Sequence, residues 1–265
     1  MRIDRFALAV LVLTAAPACF GGTLAPDAKA LAAAPAPFPW GAWDKLLKQY
    51  VDDQGRVDYH AVDRAAFERV FAAVARSSPR RDPALYPSPD AAKAFYLDAY
   101  NVLVWKNVLS RLPALANVDA EKVSFFHSTK FVVGGEAMSL SDLENQIVRP
   151  QLEDARVHFA LNCASGGCPI LPREAFTPDK VDAQLSREAR KFCNERRNVA
   201  YDATAKTLKL SHIFDWYRDD FGREAAKVIA WINTFRAADA KLPTDAKIEY
   251  VDYDWTLNDQ RLIRR

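Results

Sequence analysis

The sequence lacks a concentration of charge of either sign. Its 36 Lys and Arg residues are nearly balanced by 34 Asp and Glu residues, which gives a formal net charge of +2, and the two signs are evenly mixed. Because nucleic-acid-binding domains need a basic patch, we expect no nucleic acid among the partners. The sequence also lacks internal repeats. Its first apolar run, over residues 6–16, is too short to cross a bilayer, and no other stretch is apolar enough to do so.

The first residues have the three parts of a secretory signal. A short basic start is followed by an uncharged apolar run over residues 6–16 and then by small residues. The pattern predicts a signal peptide over residues 1–18 and export to the periplasm or cell envelope. Cleavage there would expose Cys19, as in bacterial lipoproteins, although Ala16 stands where such signals typically carry a larger aliphatic residue. A lipid anchor at Cys19 is the one membrane attachment that we expect to be available.

Only four cysteines are present, and one is left without a partner if Cys19 carries a lipid. Export would place them in an oxidising compartment, where disulfides persist. Cys163 and Cys168 are close enough in sequence to be bridged in a tight loop, but spacing alone does not decide between a disulfide and free thiols. Cys193 is the third cysteine of the predicted domain.

The chain after the signal divides into a short linker and one globular domain. Residues 19–39 are rich in Ala, Pro and Gly, which predicts a tether, and residues 40–265 contain no further linker. Apolar periodicity predicts helices over residues 40–50, 61–75, 91–112, 142–148, 177–196, 212–217 and 223–238. Strand patterns predict a hairpin over residues 131–138 and short strands at 207–210 and 248–251. We therefore predict a mostly helical α+β domain with a small, mainly antiparallel sheet.

Two of the predicted helices carry capping signals at their start. Asp90 is the predicted N-cap of the helix over residues 91–112. Ser139 or Ser141 would cap the next helix, and Glu144 stands three residues after Ser141, as in a capping box.

The most informative stretch runs over residues 157–169. An apolar run that contains His158 ends at Cys163, and a Ser165-Gly166-Gly167 turn signal and Cys168-Pro169 follow it. A short apolar run bounded by turn signals predicts a buried strand. Polar and reactive residues where such a strand opens into a loop are typical of a functional site.

Six segments, in order along the chain, resemble the landmarks of one family, domain of unknown function 547. They are Phe95–Asn101, Ser139–Glu144, Arg156–Cys163, Cys168-Pro169, Leu210–Tyr217 and Tyr253–Asn258. The resemblance covers residues 43–258 and implies a portable single domain, similar to exported bacterial proteins and to plant proteins with other attached regions. It implies no activity. Where the family often has a histidine after the Glu of its Ser-Leu-x-x-Leu/Ile-Glu motif, this chain has Asn145, so any mechanism that needs that histidine is in doubt here.

One functional hypothesis is a thiol-dependent hydrolase or acyl transferase. Cys163 would be the nucleophile, His158 the base that forms its thiolate, and Asp254 or Asn258 the group that orients the histidine. Backbone N–H groups of the turn after Cys163 would bind an oxyanion, and Cys168 is a further candidate at this site.

A packed helix followed by a histidine-bearing strand is loosely similar to the papain-like and transglutaminase-like enzymes. In those enzymes the nucleophile opens the helix, whereas Tyr100 and Asn101 lie inside a predicted helix here. This mismatch weakens the enzymatic hypothesis.

The second hypothesis, which we favour, is a non-catalytic binding or scaffolding module whose partner is an envelope protein or a glycan. His158 would then donate to a backbone carbonyl in the core, and Cys163 and Cys168 would be bridged or buried. Asn101 and Asn258 would join helix to strand through buried hydrogen bonds. The three residues His158, Cys163 and Cys168 lack a fourth ligand for zinc, so we expect no metal and no cofactor. Core or rim packing is predicted for Trp40, Trp43, Trp216 and Trp231.

Overall fold

The computed structural model describes residues 22–262, so the signal peptide predicted over residues 1–18 and the lipid anchor at Cys19 lie outside the described residues. Within residues 22–262, nine α-helices and two three-stranded sheets form a single α+β domain, which confirms the predicted fold class. Both sheets are mixed, because each contains one parallel and one antiparallel pair of strands. Two small mixed sheets therefore replace the one mainly antiparallel sheet that we expected.

The longer predicted helices agree with the structure to within about one helical turn. The helices are α1 (Ala28–Ala33), α2 (Trp40–Tyr50), α3 (Arg64–Arg76), α4 (Pro89–Arg111), α5 (Leu140–Asp142), α6 (Arg149–Leu152), α7 (Val181–Asn194), α8 (Ile213–Trp216) and α9 (Ala225–Thr234). The strands are β1 (Thr23–Leu24), β2 (Lys130–Val133), β3 (Glu136–Met138), β4 (Val199–Asp202), β5 (Thr207–Ser211) and β6 (Lys247–Val251). None of the helices in this described part of the chain is long and apolar enough to span a membrane.

Residues 22–39, predicted to be part of a tether, pack against the domain instead. β1 forms a parallel pair with β2, and α1 lies against α3. Ala34 and Phe38 are buried, and the Phe38 ring packs edge-on against Phe95 at a centroid distance of 5.9 Å. The composition concealed these contacts, because alanine is common in linkers and is also the best helix former.

α4 is the central helix, and most of its surface is buried. Ser88, rather than the predicted Asp90, caps it, because the Ser88 hydroxyl accepts a hydrogen bond from Ala91 N at 3.1 Å. Pro89 occupies the first helical position, where no N–H is needed. Asp90 lies in the first turn, where its negative charge favours the helix dipole. α4 thereby holds Asn101 in the interior.

The helical stretch after the β2–β3 hairpin begins at Ser139. The Ser139 hydroxyl accepts a hydrogen bond from Asp142 N at 3.0 Å, and the Asp142 carboxylate accepts one from Ser139 N at 2.9 Å, which forms a capping box. The box predicted between Ser141 and Glu144 is therefore wrong. Glu144 lies in the π-helical turn that follows and is only 7% exposed.

Residues 155–159 form a 3-10 helix rather than the predicted strand. A side chain takes the place of a neighbouring strand, because Asn101 Nδ2 donates to Ala160 O at 3.0 Å and Asn101 Oδ1 accepts from Asn162 N at 2.9 Å. The amide satisfies one backbone acceptor and one backbone donor, as a partner strand would. The prediction was wrong because a short buried run has the same hydrophobic pattern in either conformation.

Two hydrophobic clusters form the core of the described residues. The first surrounds α4 and contains Trp43, and the second packs α7, α8 and α9 around β5 and contains Phe192. Val157 belongs to the first cluster and Phe159 to the second. The segment that carries His158 therefore lies where the two clusters meet.

The segment over residues 253–258 fastens distant parts of the chain together. Val118 N donates to Trp255 O at 2.9 Å, Val57 N donates to Asn258 O at 2.8 Å, and Asn258 N donates to Ala164 O at 2.9 Å. The loop that contains both cysteines is thereby tied to the connection between α2 and α3.

Candidate functional site

An open cleft of about 300 Å³ lies where residues of the two hydrophobic clusters meet. Its aromatic wall consists of Trp216, Tyr217, Tyr253 and Trp255. Cys163, Cys168 and the buried Glu144 also line it. A concave site with mostly apolar walls and a few converging polar groups is the usual form of a small-ligand site.

Glu144 is the carboxylate of this cleft, and two tyrosines line the cleft with it. The Tyr100 hydroxyl donates to Glu144 Oε2 at 3.4 Å, and Tyr217 lines the same cleft. Burial, reinforced by the Glu144 charge, raises the pKa of Tyr100 and of Tyr217 well above the usual value. Both hydroxyls therefore remain protonated, and the hydrogen bond from Tyr100 fixes the position of the Glu144 carboxylate in the cleft.

Trp216, Tyr253 and Trp255, which we call the aromatic trio, are in mutual contact. The ring centroids of Trp216 and Tyr253 are 4.8 Å apart, those of Tyr253 and Trp255 are 4.6 Å apart, and the two indoles are 5.6 Å apart. Trp216 is 44% exposed, whereas the core residue Trp43 is fully buried. The trio thus presents part of its surface to solvent, and Trp216 lies at the edge of the core, consistent with the rim packing predicted for it.

His158 lies behind the cleft rather than in its lining. Its side chain is 1% exposed, and its ring stacks on Tyr217 with centroids 3.8 Å apart. The ring Nε2 lies 2.7 Å from Asp220 Oδ2, and Arg149 donates to the same carboxylate at 2.7 and 2.9 Å. The hydrogen bond from His158, followed by that from Arg149, holds the pKa of Asp220 well below its usual range.

The orienting partner of His158 is therefore Asp220, and the expected pair with Asp254 is not formed. Asp254 Oδ1 instead accepts a hydrogen bond from Thr256 N at 2.9 Å. The idea that His158 donates to a backbone carbonyl is corrected in the same way, because its partner is a carboxylate. Asp220 lies 62 residues after His158, and no local pattern links the two.

Cys163 and Cys168 form a disulfide, with their Cα atoms 6.1 Å apart. The Tyr253 hydroxyl lies 3.2 Å from Cys163 Sγ and 3.3 Å from Cys168 Sγ, so the bridge contacts the aromatic trio. A nucleophilic cysteine acts as a thiolate, and neither sulfur is a thiolate in this state. A catalytic role for Cys163 with His158 therefore requires reduction of the bridge and stays a prediction.

Three of the four backbone N–H groups in the turn over residues 164–167 are already hydrogen-bonded. Ala164 N donates to Asn162 Oδ1 at 2.9 Å, Gly166 N donates to Thr256 O, and Gly167 N donates to Asp254 O. A Cβ atom on Gly166 would lie 2.3 Å from Asp254 Oδ2, so only glycine allows this approach. The turn therefore anchors the 253–258 segment. It does not form the oxyanion hole that we expected.

Asn258 makes the buried hydrogen bonds that we predicted for it. Its Oδ1 accepts from the Tyr59 hydroxyl at 2.8 Å, and its Nδ2 donates to Gly55 O at 3.2 Å and to Asn162 Oδ1 at 3.3 Å. With Asn101 bound to the backbone on either side of Leu161, both asparagines hold the cleft-bearing segment in place and are buried.

Asn145, at the position where the family often has histidine, lines the cleft. Its Nδ2 donates to Ser141 O at 3.0 Å, and its Oδ1 accepts from Arg149 Nη1 at 2.8 Å. An amide neither gains nor loses a proton near neutral pH, so this chain has no acid–base group at that position.

Cys193, the remaining described cysteine, is free and buried. Burial raises the pKa of its thiol to about 12, which makes it unreactive at neutral pH. Within residues 22–262, no group of three or more His, Cys, Asp or Glu side chains is arranged to hold a metal ion.

Residues 87–193, from the start of α4 to the end of α7, match a protein family of unknown function, DUF547. This region is similar to the DUF547 family. The match contains Asn101, Glu144, His158 and the disulfide, and it confirms the resemblance seen in the sequence. No curated protein and no solved structure matches the chain.

Glu144 and Trp216 line the cleft and Asp220 holds His158 behind it, but the sequence analysis assigned none of the three a chemical role. Glu144 was assigned to a capping box, Trp216 to the rim of the core, and Asp220 to no role. The one available signal was composition: Leu210–Tyr217 and Tyr253–Asn258 are the two landmark segments beyond the DUF547 match, and both are rich in aromatic residues. Their convergence on one cleft depends on the tertiary fold.

Proposed function

We propose that this protein is a non-catalytic binding module of the cell envelope and that its ligand is a glycan held in the aromatic cleft. The observation that carries the proposal is the half-exposed Trp216 ring, packed with Tyr253 and Trp255 beside Glu144. The apolar C–H face of a sugar ring stacks on aromatic rings, and its hydroxyls need fixed acceptors and donors. The trio supplies the stacking surface, and Glu144 supplies a fixed acceptor.

The tyrosine network supports a binding role because it prepares the cleft before a ligand arrives. Glu144 is held by Tyr100, and Tyr217 is backed by the His158 ring. A ligand that meets a preformed site loses less free energy to the ordering of side chains.

The hydrolase alternative has less support. Its nucleophile, Cys163, forms a disulfide with Cys168. Its base, His158, is hydrogen-bonded to Asp220 and stacked on the Tyr217 ring. Reduction of the disulfide alone would not bring the buried His158 ring into the cleft.

Export to the periplasm or envelope belongs to the same proposal. A disulfide between Cys163 and Cys168 supports it, since such bonds persist in oxidising compartments. Intact-mass measurement of protein made in a native-like host should show loss of residues 1–18, with a further mass of acyl chains if Cys19 is lipidated. Retention of Met1 on the major species would contradict export by this signal.

Glycan binding is tested by screening an array of bacterial and plant polysaccharide fragments, followed by calorimetry on each glycan that binds. Trp216→Ala should weaken binding about tenfold, which corresponds to about 1.4 kcal/mol. Tyr201→Ala is the matched control, because Tyr201 is an exposed aromatic residue on β4 that does not line the cleft. The proposal is wrong if no glycan binds or if the two variants lose affinity equally.

A further inference from the structure

Resting on the proposed function, we propose that the glycan is acidic and that Lys122 binds the carboxylate of a uronic-acid unit. Lys122 lines the cleft, and its Nζ atom lies 4.4 Å from the centre of the Trp255 ring and 5.6 Å from that of Trp216. Cation–π contact with two indoles restricts a side chain that is otherwise flexible. The ammonium is therefore placed beside the surface on which a sugar would stack.

The charge of Lys122 is poorly neutralised by the described protein. Within residues 22–262, the one carboxylate in ion-pair distance is Asp119, at 3.7 Å, and both side chains are about half exposed. An exposed pair at this distance contributes little. By contrast, Lys130 lies 2.5 Å from Asp142 and Arg149 lies 2.7 Å from Asp220.

The negative charge of Glu144 does not cancel the accessible positive charge of Lys122. Its carboxylate is buried and already accepts a hydrogen bond from Tyr100, whereas the Lys122 side chain is 48% exposed. The accessible charge of the cleft is thus positive, and its buried charge is negative. A sugar that stacks on Trp216 would present hydroxyls to Glu144 and a carboxylate to Lys122.

The same geometry disfavours a cationic ligand. A ligand ammonium would seek the faces of Trp216 and Trp255, and Lys122 already lies over both. A second cation there would be repelled, so the charge complementarity points to an anion.

The test uses pairs of ligands that have the same sugar units and linkages and differ in the charge of the carboxyl group, which the ester masks with a methyl group. Tetramers of galacturonate, glucuronate and mannuronate, and the methyl ester of each, are titrated by calorimetry into the full chain with its disulfide intact. At least one acid should bind about tenfold more tightly than its ester, and added salt should reduce the difference. Lys122→Met should abolish the preference while leaving ester affinity within about twofold, and the exposed Lys45 gives the control Lys45→Met.

The outcomes separate the two proposals. If acids and esters bind equally, or if neutral glycans from the array bind while the uronates do not, the acidic assignment is wrong and glycan binding stands. If Lys122→Met retains the full preference for the acid, Lys122 is not the carboxylate partner and the inference is overturned. If no glycan of any charge binds, both proposals fail.

Discussion

Replacing Asp220 by Asn should destabilise the protein by about 2–4 kcal/mol, since hydrogen bonds to charged groups contribute about 1.5–3 kcal/mol each. The carboxylate receives hydrogen bonds from His158 at 2.7 Å and from Arg149 at 2.7 and 2.9 Å. Arg149 and Asp220 are each more than a quarter exposed, which reduces the Arg149 contribution. His158 is almost fully buried, so the loss of its partner is the larger cost.

The pH dependence of this effect follows from the lowered pKa of Asp220. The folded protein binds this proton less tightly than the unfolded chain does, so the carboxylate stabilises the fold. Its contribution is complete above the unfolded-state pKa, about 3.9, and is lost as the pH falls through the lower folded-state pKa. The gap between wild type and Asp220→Asn should therefore narrow only in acid below about pH 4.

Urea unfolding followed by circular dichroism measures the gap, with Asp219→Asn as the control. Asp219 is 71% exposed and pairs with Arg223, which is 80% exposed, so its loss should cost at most about 0.5 kcal/mol. Equal midpoints for the two variants would refute the view that the His158–Asp220–Arg149 contact stabilises the wall behind Tyr217.

Three other perturbations test the packing around the site. Asn101→Ala should cost about 1–3 kcal/mol, because Ala160 O and Asn162 N lose a buried partner; an unchanged urea midpoint would contradict this. Cys163→Ser with Cys168→Ser should cost about 2 kcal/mol through loss of loop closure, and a reductant should lower the wild-type melting temperature but not that of the variant. Burial raises the pKa of Asp98, so the contribution of Asp98 to wild-type stability should fall as the pH rises above about 4. In thermal melts, the stability of Asp98→Asn relative to wild type should therefore increase from pH 4 to pH 7. A difference in melting temperature between the two proteins that does not change with pH would rule this out.

The helices were predictable where apolar periodicity alone determines them. Trp43, Leu46, Leu47 and Tyr50 repeat at helical spacing, and α2 has the predicted bounds. The segment around His158 was not predictable in this way, because its backbone is paired by the Asn101 side chain, 59 residues earlier in the chain. Periodicity indicates which residues are buried, but it does not indicate which group hydrogen-bonds to their backbone N–H and C=O groups.

Of the residues predicted for the site, Cys163 and Cys168 line the cleft, whereas His158, Asp254, Asn101 and Asn258 do not. The stretch with His158, Cys163 and Cys168 does border the cleft, since both cysteines line it. Asp254 and Asp220 are both carboxylates in aromatic segments, and only the tertiary fold shows that Asp220 meets His158. Asp142, two residues before Glu144, completes the capping box, so Glu144 is not the capping residue that we predicted, and it lines the cleft.

The most direct test of the glycan-binding cleft is NMR observation of the indole N–H signals of the six tryptophans. On addition of a glycan selected from the array, the signals of Trp216 and Trp255 should shift, because both line the cleft. The signals of Trp40, Trp43, Trp105 and Trp231, which do not line it, should stay in place. Binding that shifts any of these four signals and leaves Trp216 and Trp255 unchanged would contradict the proposed site.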